Sequence, residues 1–211
     1  LGQRRDDFYL TASRLVPYKR MSVLVDAFGL MADRRLVIIG DGPERERLQA
    51  RAGPNVTLLG YQDTPVLRDY LERARAFLFA AREDFGIVLV EAQAAGTPVI
   101  AFGQGGAVES IRGLDAPHPT GVLFSEQTPA SVVEALRAFE QHEHRITPAY
   151  CRLNALRFGI ERFRREFASF VDAQWQRFDD NASQGVEPSS RRSAALPVDG
   201  QSRQARSRRA A

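Results

Sequence analysis

Short apolar runs alternate with segments whose apolar residues recur every three or four positions, and this alternation predicts the secondary structure. Six apolar runs predict strands, at residues 8–11, 36–39, 55–59, 76–80, 99–102 and 121–124. The segments between and after them have the period of helices that pack on one side. Strands alternating with helices at this spacing predict right-handed crossovers, and hence an α/β fold with a doubly wound, parallel, Rossmann-like sheet.

Helices are predicted at residues 23–31, 44–52, 64–75, 107–111, 128–139 and 148–156, with a further short helix after the turn at Glu83. Thr64-Pro65 is predicted to cap the third of these helices. The last predicted helix, 160–178, carries a broad stripe of aromatic residues at helical spacing. Such a stripe is usually part of a protein core.

Glycine-rich and charged turns follow the predicted strands. They are Ser13-Arg14, Gly40 to Gly42, Gly60-Tyr61, Arg82-Glu83 and Gly103 to Gly106. Because the carboxyl ends of parallel strands share one edge of a sheet, these turns are expected to converge there. Doubly wound sheets bind ligands at that edge, so the convergence itself predicts a ligand site.

Two glutamates stand out in the stretch from residue 76 to residue 102. Glu83 follows a predicted strand, and Glu91 lies two turns into the helix after it, with seven residues between them. Both carboxylates can face one crevice above the sheet, where charge-assisted hydrogen bonds would hold the vicinal hydroxyls of a polyhydroxyl ligand. The ordinary alternative is a solvated turn and an exposed helix face. The adjoining Phe85-Gly86 and the Gly96-Thr97-Pro98 turn favour the functional interpretation.

The charge of the chain is unevenly distributed. Of a net charge of +3 over 211 residues, the tail from 181 to 211 contributes six arginines against Glu187 and Asp199, which leaves −1 for residues 1–180. The basic tail therefore gives no argument that the body binds nucleic acid. The tail lacks aromatic residues and is rich in Ser, Arg, Gln and Pro, a composition that predicts disorder. We thus expect one domain, residues 1–180, followed by a disordered tail.

Other features bound the class of protein. The single cysteine, Cys151, excludes an internal disulfide and has no neighbours in sequence that would form a metal site, so it is expected to pack in a helix. No apolar run reaches the roughly 18 residues that a bilayer span needs. These features fit cytoplasmic conditions. The chain opens without an initiator methionine, which indicates a fragment of something longer.

Taken together, the motifs resemble the C-terminal half of family-4 glycosyltransferases. They are the run from Ser13 to Lys19, Gly40-Asp41-Gly42-Pro43, the stretch from Glu83 to Glu91, and Gly105-Gly106. The resemblance covers roughly residues 8–175 and implies a retaining enzyme of the GT-B fold that uses a nucleotide-sugar donor. Within the family, Tyr18-Lys19-Arg20 and residues 80–86 most resemble bacterial mannosyltransferases of surface-polysaccharide assembly.

The resemblance implies catalytic roles for Arg14, Lys19 and Glu83. The two cations would clamp the donor diphosphate, on which negative charge grows as the glycosidic bond breaks. Glu83 would contact hydroxyls of the transferred sugar. The ordinary alternative for Arg14 and Lys19 is a pair of surface cations. No metal site is implied, and no cofactor beyond the donor itself, for which GDP-mannose is a candidate.

The remaining site residues that the resemblance implies bind the substrate. The backbone of Phe85, Gly86 and Ile87 would lie near the sugar, and Glu91 would bind the ribose hydroxyls. The N–H groups of Gly105 and Gly106 would approach the phosphates, helped by the helix beside them, although a plain tight turn is an alternative. Tyr61 would line the base pocket, and ordinary packing is an equal alternative for it.

The expected partners follow from the same resemblance. They are a sugar or lipid-linked acceptor and an N-terminal domain absent from this chain, on which the final helix would pack, so its aromatic face is expected to be partly exposed. We expect a cytoplasmic protein that can contact the inner face of the membrane. A non-catalytic nucleotide-binding or partner-binding module is the main alternative. A dehydrogenase or epimerase-like enzyme is disfavoured because Arg45 stands where a dinucleotide fingerprint needs its third glycine.

Overall fold

A computed structural model describes residues 5–183, with only the backbone of residues 181–183. Its centre is a six-stranded, fully parallel sheet in the order β3-β2-β1-β4-β5-β6. The strands are β1 (Tyr9–Ala12), β2 (Leu36–Ile39), β3 (Val56–Gly60), β4 (Ala76–Phe79), β5 (Val99–Phe102) and β6 (Gly121–Phe124). The predicted doubly wound α/β fold is confirmed, with β6 at the edge of the sheet.

Eight α-helices flank and follow these strands in the described residues. They are α1 (Met21–Gly29), α2 (Arg45–Arg51), α3 (Thr64–Arg73), α4 (Ile87–Ala94), α5 (Ala107–Ser110), α6 (Pro129–His142), α7 (Pro148–Ala155) and α8 (Ile160–Ser183). The cap of α3 is Asp63, whose carboxylate accepts from the N–H of Val66, so Thr64 and Pro65 occupy the first helical positions instead. Helix α8 continues through the first three residues of the predicted tail, and the other residues of that tail, 184–211, lie outside the described residues.

Helices cover both faces of the sheet, and the strands are apolar on both sides for that reason. Alternate residues of β1 point to opposite faces. Tyr9 packs in the core with α1 and α6, while Leu10 packs in the core with α3 and α4. The buried Cys151 of α7 belongs to the first core, and burial raises the pKa of its thiol to about 12.

The strand order reverses between β1 and β4. From β1 the chain proceeds to β2 and β3 on one side, whereas from β4 it proceeds to β5 and β6 on the other. The strands pair in register at Tyr9 with Ala76 and at Leu10 with Phe77. Loops that leave neighbouring strands in opposite directions open a crevice beyond the carboxyl ends of those strands. The topology therefore places a crevice between the loops after Ala12 and Phe79.

The opposite, amino edge of the sheet is closed by a polar network. The Tyr9 hydroxyl donates to Glu140 Oε1 at 2.7 Å, and Arg34 donates to both oxygens of that carboxylate, at 2.6 and 2.9 Å. Arg75 donates to Glu143 Oε2 at 2.8 Å and lies over the Tyr9 ring. The hydrogen bonds from Arg34 hold the pKa of Glu140 below its ordinary value. The arginines and glutamates of this network thus pair with one another.

The described chain divides into two compact units, residues 5–164 and 165–183. Along α8, large apolar side chains recur on one stripe and are each between 45% and 65% exposed: Phe163, Phe167, Phe170, Val171, Trp175 and Phe178. The expectation of a partly exposed aromatic face is confirmed. No helix within the described residues combines the length and the apolar character needed to cross a bilayer.

Candidate functional site

The loop after β1 is held in place by the loop after β2. The N–H groups of Ser13 and Leu15 donate to the carbonyls of Ile39 and Asp41, at 3.1 and 2.9 Å. Gly40 has a φ of +135°, and a Cβ on it would lie 1.8 Å from the Ser13 carbonyl oxygen. Only glycine fits this approach. The exposed Arg14 extends from the loop so fixed, and no residue of the described range forms an ion pair with its guanidinium.

Lys19 reaches the same crevice from a 3₁₀ turn, Pro17–Lys19. Arg20 ends this turn in the left-handed region, with a φ of 56°, and its N–H donates to the Pro17 carbonyl at 3.1 Å. The Lys19 side chain is only 13% exposed, its ammonium lies 5.8 Å from the centre of the Phe79 ring, and it forms an ion pair with Glu83. Partial burial lowers the pKa of Lys19 from its ordinary value.

The turn that carries Glu83 is clamped by the glycine loop after β5. The Gly106 N–H donates to the Glu83 carbonyl at 2.7 Å, and Glu83 and Gly105 form a parallel bridge. A Cβ on Gly105 would lie 2.2 Å from that carbonyl oxygen. Gln127 donates to the Ala80 carbonyl at 2.7 Å and fixes the start of the turn. The two glycines thus position Glu83, and since the Gly106 N–H is engaged in doing so, the phosphate role inferred for them stays a prediction.

Helix α4 begins at the far end of this turn. Gly86 caps it in the left-handed region, with a φ of 75°. Phe85 packs edge-on against Phe158, with 5.6 Å between the ring centres. Ile87 is exposed on the first turn of the helix, and Glu91 is exposed one turn farther along. Both glutamates therefore project from one turn-and-helix unit.

These elements enclose a cleft of about 530 Å³. Its lining includes Ala12, Ser13, Arg14, Tyr18, Lys19, Glu83, Asp84, Phe85, Gly86, Ile87, Val88 and Glu91. A second cavity of about 450 Å³ shares Ala12, Ser13, Arg14 and Val88 with the cleft. It adds Asp41, Tyr61 and Gln62 at its far side. The two cavities form one groove along the carboxyl edge of the sheet, and Gly105 and Gly106 support its wall without lining it.

The groove offers two kinds of polar group. The Arg14 and Lys19 cations face one part, and the carboxylates of Glu83, Asp84 and Glu91 line the same cleft. Cations bind phosphate oxygens, and carboxylates accept hydrogen bonds from sugar hydroxyls. Within residues 5–183 no group of three or more His, Cys, Asp or Glu side chains is arranged to hold a metal ion. The arrangement can bind a ligand that joins a phosphate group to a polyol.

Several residues that shape the groove carried no signal in the sequence. Gln127 and Phe158 reach the site from segments after the last strand, and their contacts depend on the tertiary fold. Arg20 is the one non-glycine residue with a positive φ in the described range, at a position usual for Gly, Asn or Asp. Phe79, whose ring lies beside the Lys19 ammonium, looks in the sequence like any apolar residue of a buried strand. The sequence signal is confined to residues that line the groove and to the glycine turns that support it.

Comparison with known proteins agrees with the geometry. The family model described as "Glycosyl transferases group 1" matches residues 3–157. A phosphatidyl-myo-inositol mannosyltransferase of Mycobacterium leprae is 33% identical over 170 residues, which are 76% of this chain and 42% of the relative. A GDP-mannose-dependent alpha-(1-6)-phosphatidylinositol monomannoside mannosyltransferase of Mycobacterium tuberculosis is 34% identical over 141 residues, 59% of this chain and 36% of the relative.

Solved structures share the fold. HepE of Anabaena, crystallised with UDP and glucose, superposes with a TM-score of 0.66 at 23% identity, over 79% of this chain and 48% of that one. The GtfA/B complex gives a TM-score of 0.65 at 24% identity, over 80% and 36% of the two chains. The chain spans about a third to two-fifths of the length of the curated relatives it matches. It belongs to the group 1 glycosyl transferases and has the architecture of their C-terminal GT-B domain.

Proposed function

We propose that this chain is the donor-binding part of a retaining glycosyltransferase, which moves a hexose from a nucleotide-diphosphate sugar to a hydroxyl acceptor in polysaccharide or glycolipid synthesis. The observation that carries the proposal is the meeting of Arg14, Lys19, Glu83 and Glu91 in one cleft. It lies at the reversal of strand order, where sheets of this kind bind nucleotides. The cleft and its neighbouring cavity share four lining residues, and the donor would lie with its sugar in the cleft and its nucleoside in the cavity.

The cations and the carboxylates would contact different parts of the donor. When the bond between the sugar and the diphosphate breaks, negative charge grows on the leaving phosphate, and Arg14 and Lys19 would stabilise it. Glu83 would accept hydrogen bonds from the hydroxyls of the transferred sugar, and Glu91 from those of the ribose. Tyr61, 77% exposed in the second cavity, would lie beside the base. The acceptor hydroxyl would take the sugar on the face that the diphosphate leaves.

The nature of the donor and acceptor is inferred from the relatives. Two mycobacterial relatives are mannosyltransferases, and the name of one includes dependence on GDP-mannose. A mannosyl donor is therefore our first candidate. The names of both include phosphatidylinositol compounds, which supports a sugar or lipid-linked acceptor and an enzyme that works in the cytoplasm beside the inner face of a membrane.

An N-terminal domain is the partner that the proposal requires. The chain matches only about a third to two-fifths of its curated relatives, and the exposed aromatic stripe of α8 offers an apolar surface for such a domain. Closure of two domains over the donor would exclude water from the reaction. The chain alone is therefore expected to bind the donor and to transfer sugar poorly. Robust transfer by the purified chain would contradict this expectation.

Calorimetric titration tests the donor site directly. GDP-mannose, UDP-glucose and NAD are titrated into the wild-type chain, into Glu91→Gln, and into Glu46→Gln as a control. Glu46 is an exposed glutamate of α2 that lines neither cavity. Saturable binding of one nucleotide sugar, weakened in Glu91→Gln and retained in Glu46→Gln, supports the proposal and names the base. No binding, or binding of NAD alone, would overturn it.

A non-catalytic nucleotide-binding or partner-binding module is the alternative. The same cleft supports it, since binding a nucleotide requires the cations and Glu91 without any transfer. Supplying the N-terminal domain of a relative as a separate chain distinguishes the two. Transfer to an acceptor that depends on both chains supports the enzyme, whereas donor binding without transfer in their complex favours the module.

A further inference from the structure

A group of buried amides lies on the side of α4 that faces away from the cleft. Gln93 is fully buried, and its amide donates to the carbonyls of Leu89, at 3.1 Å, and Ser110, at 2.9 Å. Asn154 of α7 is 2% exposed and donates to Gln93 Oε1 and to the Ser110 carbonyl, both at 2.7 Å. Three of these hydrogen bonds thus join α4, the end of α5 and α7 to one another, and the fourth lies within α4.

Helix α4 needs such a contact because its apolar residues do not form one stripe. Six of its eight residues are apolar: four stand at successive positions, 87–90, and two alanines follow at 92 and 94, so hydrophobic packing alone specifies its rotation weakly. A buried amide must keep its partners, since leaving a buried polar group unpaired is costly. The requirement selects one rotation of α4 about its axis.

That rotation decides where Glu91 points. Residues two positions apart lie about 200° apart around a helix at 3.6 residues per turn. With Gln93 held against α7, Glu91 is directed away from that contact and lines the cleft, and it also borders a separate cavity between α3, α4 and Arg152. Glu91 itself is exposed, and no other residue of the described range pairs with its carboxylate. Its direction therefore depends on the helix that carries it.

The segment after α7 makes a second attachment to the same unit. Arg157 donates to Asn154 Oδ1 at 2.8 Å, which leaves the Asn154 NH₂ group to face Gln93 and Ser110. The next residue, Phe158, packs against Phe85 at the rim of the cleft. The segment 154–158 thus contacts α4 through the Asn154 amide, which is buried, and contacts the turn before α4 through the Phe158 ring at the rim of the cleft.

We propose that Gln93 and Asn154 are positioning residues for donor binding, which orient Glu91 toward the ribose by fixing the rotation of α4. Neither residue lines the cleft or the cavity beside it. The inference rests on the proposed function, because it takes Glu91 to be a ligand-binding residue. It differs from a purely structural role in one measurable respect: removing the amides weakens the contribution of Glu91 in particular, and leaves the contribution of Lys19 on its separate 3₁₀ turn intact.

Two double-mutant cycles on the full chain test this difference. The dissociation constants of GDP, UDP and ADP are measured by calorimetry for wild type, Glu91→Gln, Gln93→Met and the combined variant, and the diphosphate that wild type binds most tightly is used. Glu91→Gln is expected to weaken binding about tenfold in wild type, the size of a hydrogen bond to a charged group. In the Gln93→Met background the same substitution should cost less than about threefold.

The second cycle uses Lys19→Met in place of Glu91→Gln. Lys19→Met should weaken binding by the same factor in wild type and in Gln93→Met. The swapped variant Gln93→Asn with Asn154→Gln keeps both amides, and it should restore part of the tenfold effect of Glu91→Gln. A purely structural role would lower the melting temperature or the fraction of binding-competent protein and leave both factors unchanged. An unchanged cost of Glu91→Gln in Gln93→Met therefore overturns the inference.

A surface variant covers the case in which Gln93→Met does not fold. Arg157 is exposed, so Arg157→Met removes the hydrogen bond that orients Asn154 without opening the core. It should reduce the cost of Glu91→Gln by about half, and an unreduced cost contradicts the inference. If the wild-type chain binds none of the three diphosphates, the proposed function fails and this inference fails with it. Binding by wild type with an unchanged Glu91 factor removes the inference alone.

Discussion

The two edges of the sheet use arginine and glutamate in opposite ways. At the amino edge, Glu140 accepts from Tyr9 and Arg34, and Arg75 is paired with Glu143. At the carboxyl edge, the Arg14 guanidinium has no ion-pair partner in the described range and extends into a groove. The first edge is a complete polar network, whereas the second is held rigid by glycine packing, pairs Lys19 with Glu83, and leaves Arg14 and Glu91 without an ion pair in the described range.

Unpaired charge on a rigid backbone marks the functional edge of this sheet. Paired charges at both edges would indicate a structural role, because salt bridges and hydrogen bonds that satisfy one another need no ligand. A rigid backbone that presents unsatisfied charge indicates a site, because the cost of holding these groups in place is offset only when a ligand binds. Substitutions at the amino edge should thus change stability, and those at the carboxyl edge should change affinity.

The largest expected effect is on ligand affinity at the carboxyl edge. Lys19→Met should weaken nucleoside-diphosphate binding by roughly ten- to hundredfold, because a charge-assisted contact to phosphate is lost, with little change in melting temperature. Calorimetric titration and thermal unfolding measure the two quantities. Arg47→Met is the control and should bind normally, since Arg47 is an exposed arginine of α2 that pairs with Glu44 and lines neither the cleft nor the cavity beside it. Equal losses in both variants would contradict a specific role for Lys19.

The amino edge should respond in the opposite way. Glu140→Gln should lower the free energy of unfolding by about 1–2 kcal/mol, because Arg34 and Arg75 lose a partly buried carboxylate, and nucleotide affinity should not change. Urea unfolding followed by circular dichroism measures the loss. Glu161→Gln breaks an exposed pair with Arg164 and should stay within about 0.5 kcal/mol of wild type. A change in nucleotide affinity in Glu140→Gln would remove the distinction between the edges.

The stability supplied by Glu140 should depend on pH. Arg34 holds its pKa in the folded chain below the ordinary value of 4.5, so the folded state binds fewer protons than the unfolded state in this range. The contribution is therefore complete above about pH 4.5 and is lost as the pH falls through the lower, folded value. Unfolding curves of wild type and Glu140→Gln should differ near pH 6 and converge in acid. A difference that persists in acid would show that the charge is not its source.

Within the cleft, the Glu83 carboxylate should produce a small effect on affinity. Glu83 is paired with Lys19 before any ligand arrives, so Glu83→Gln frees the ammonium and should tighten binding of a free nucleoside diphosphate about two- to fivefold. The extra affinity that an attached sugar provides should fall in the same variant. Asp84→Asn makes the same change of charge at the next residue, which lines the cleft without an ion pair to Lys19. Asp84→Asn should tighten binding less than Glu83→Gln does. Equal tightening by the two variants would show that the effect comes from net charge and not from the ion pair with Lys19.

Much of the fold could be predicted because its strands are buried on both faces. Runs such as 36–39 and 99–102 are apolar throughout, and the glycine turns after them mark their ends, so the observed bounds of β2 and β5 match the predicted ones. The cap of α3 was misassigned by one residue, since Asp63 and Thr64 are both good capping residues and only the backbone geometry separates them. The predicted end of α8, residue 178, is wrong. The helix continues to Ser183, because no proline or glycine interrupts it before Gly185.

The candidate site was predictable only as far as its residues lie next to strand ends. Arg14, Lys19, Glu83 and Glu91 follow strands β1 and β4 in sequence, and the topology brings those strands together. Gln93, by contrast, reads as one polar residue in an apolar helix, and its partner Asn154 lies 61 positions away. No local pattern links the two. Contacts made through the far side of a helix require the fold to be known first.

The alkylation rate of the buried cysteine can report how often the helix that contacts α4 opens. Cys151 lies in α7 three residues before Asn154, it is fully buried, and its thiol has a pKa of about 12. Thiol reagents attack the exposed thiolate, so alkylation requires α7 to open first. With no second cysteine in the chain, one labelling rate reports one event. Slower alkylation in the presence of a nucleotide would mean that a ligand in the cleft closes a helix on the other side of α4.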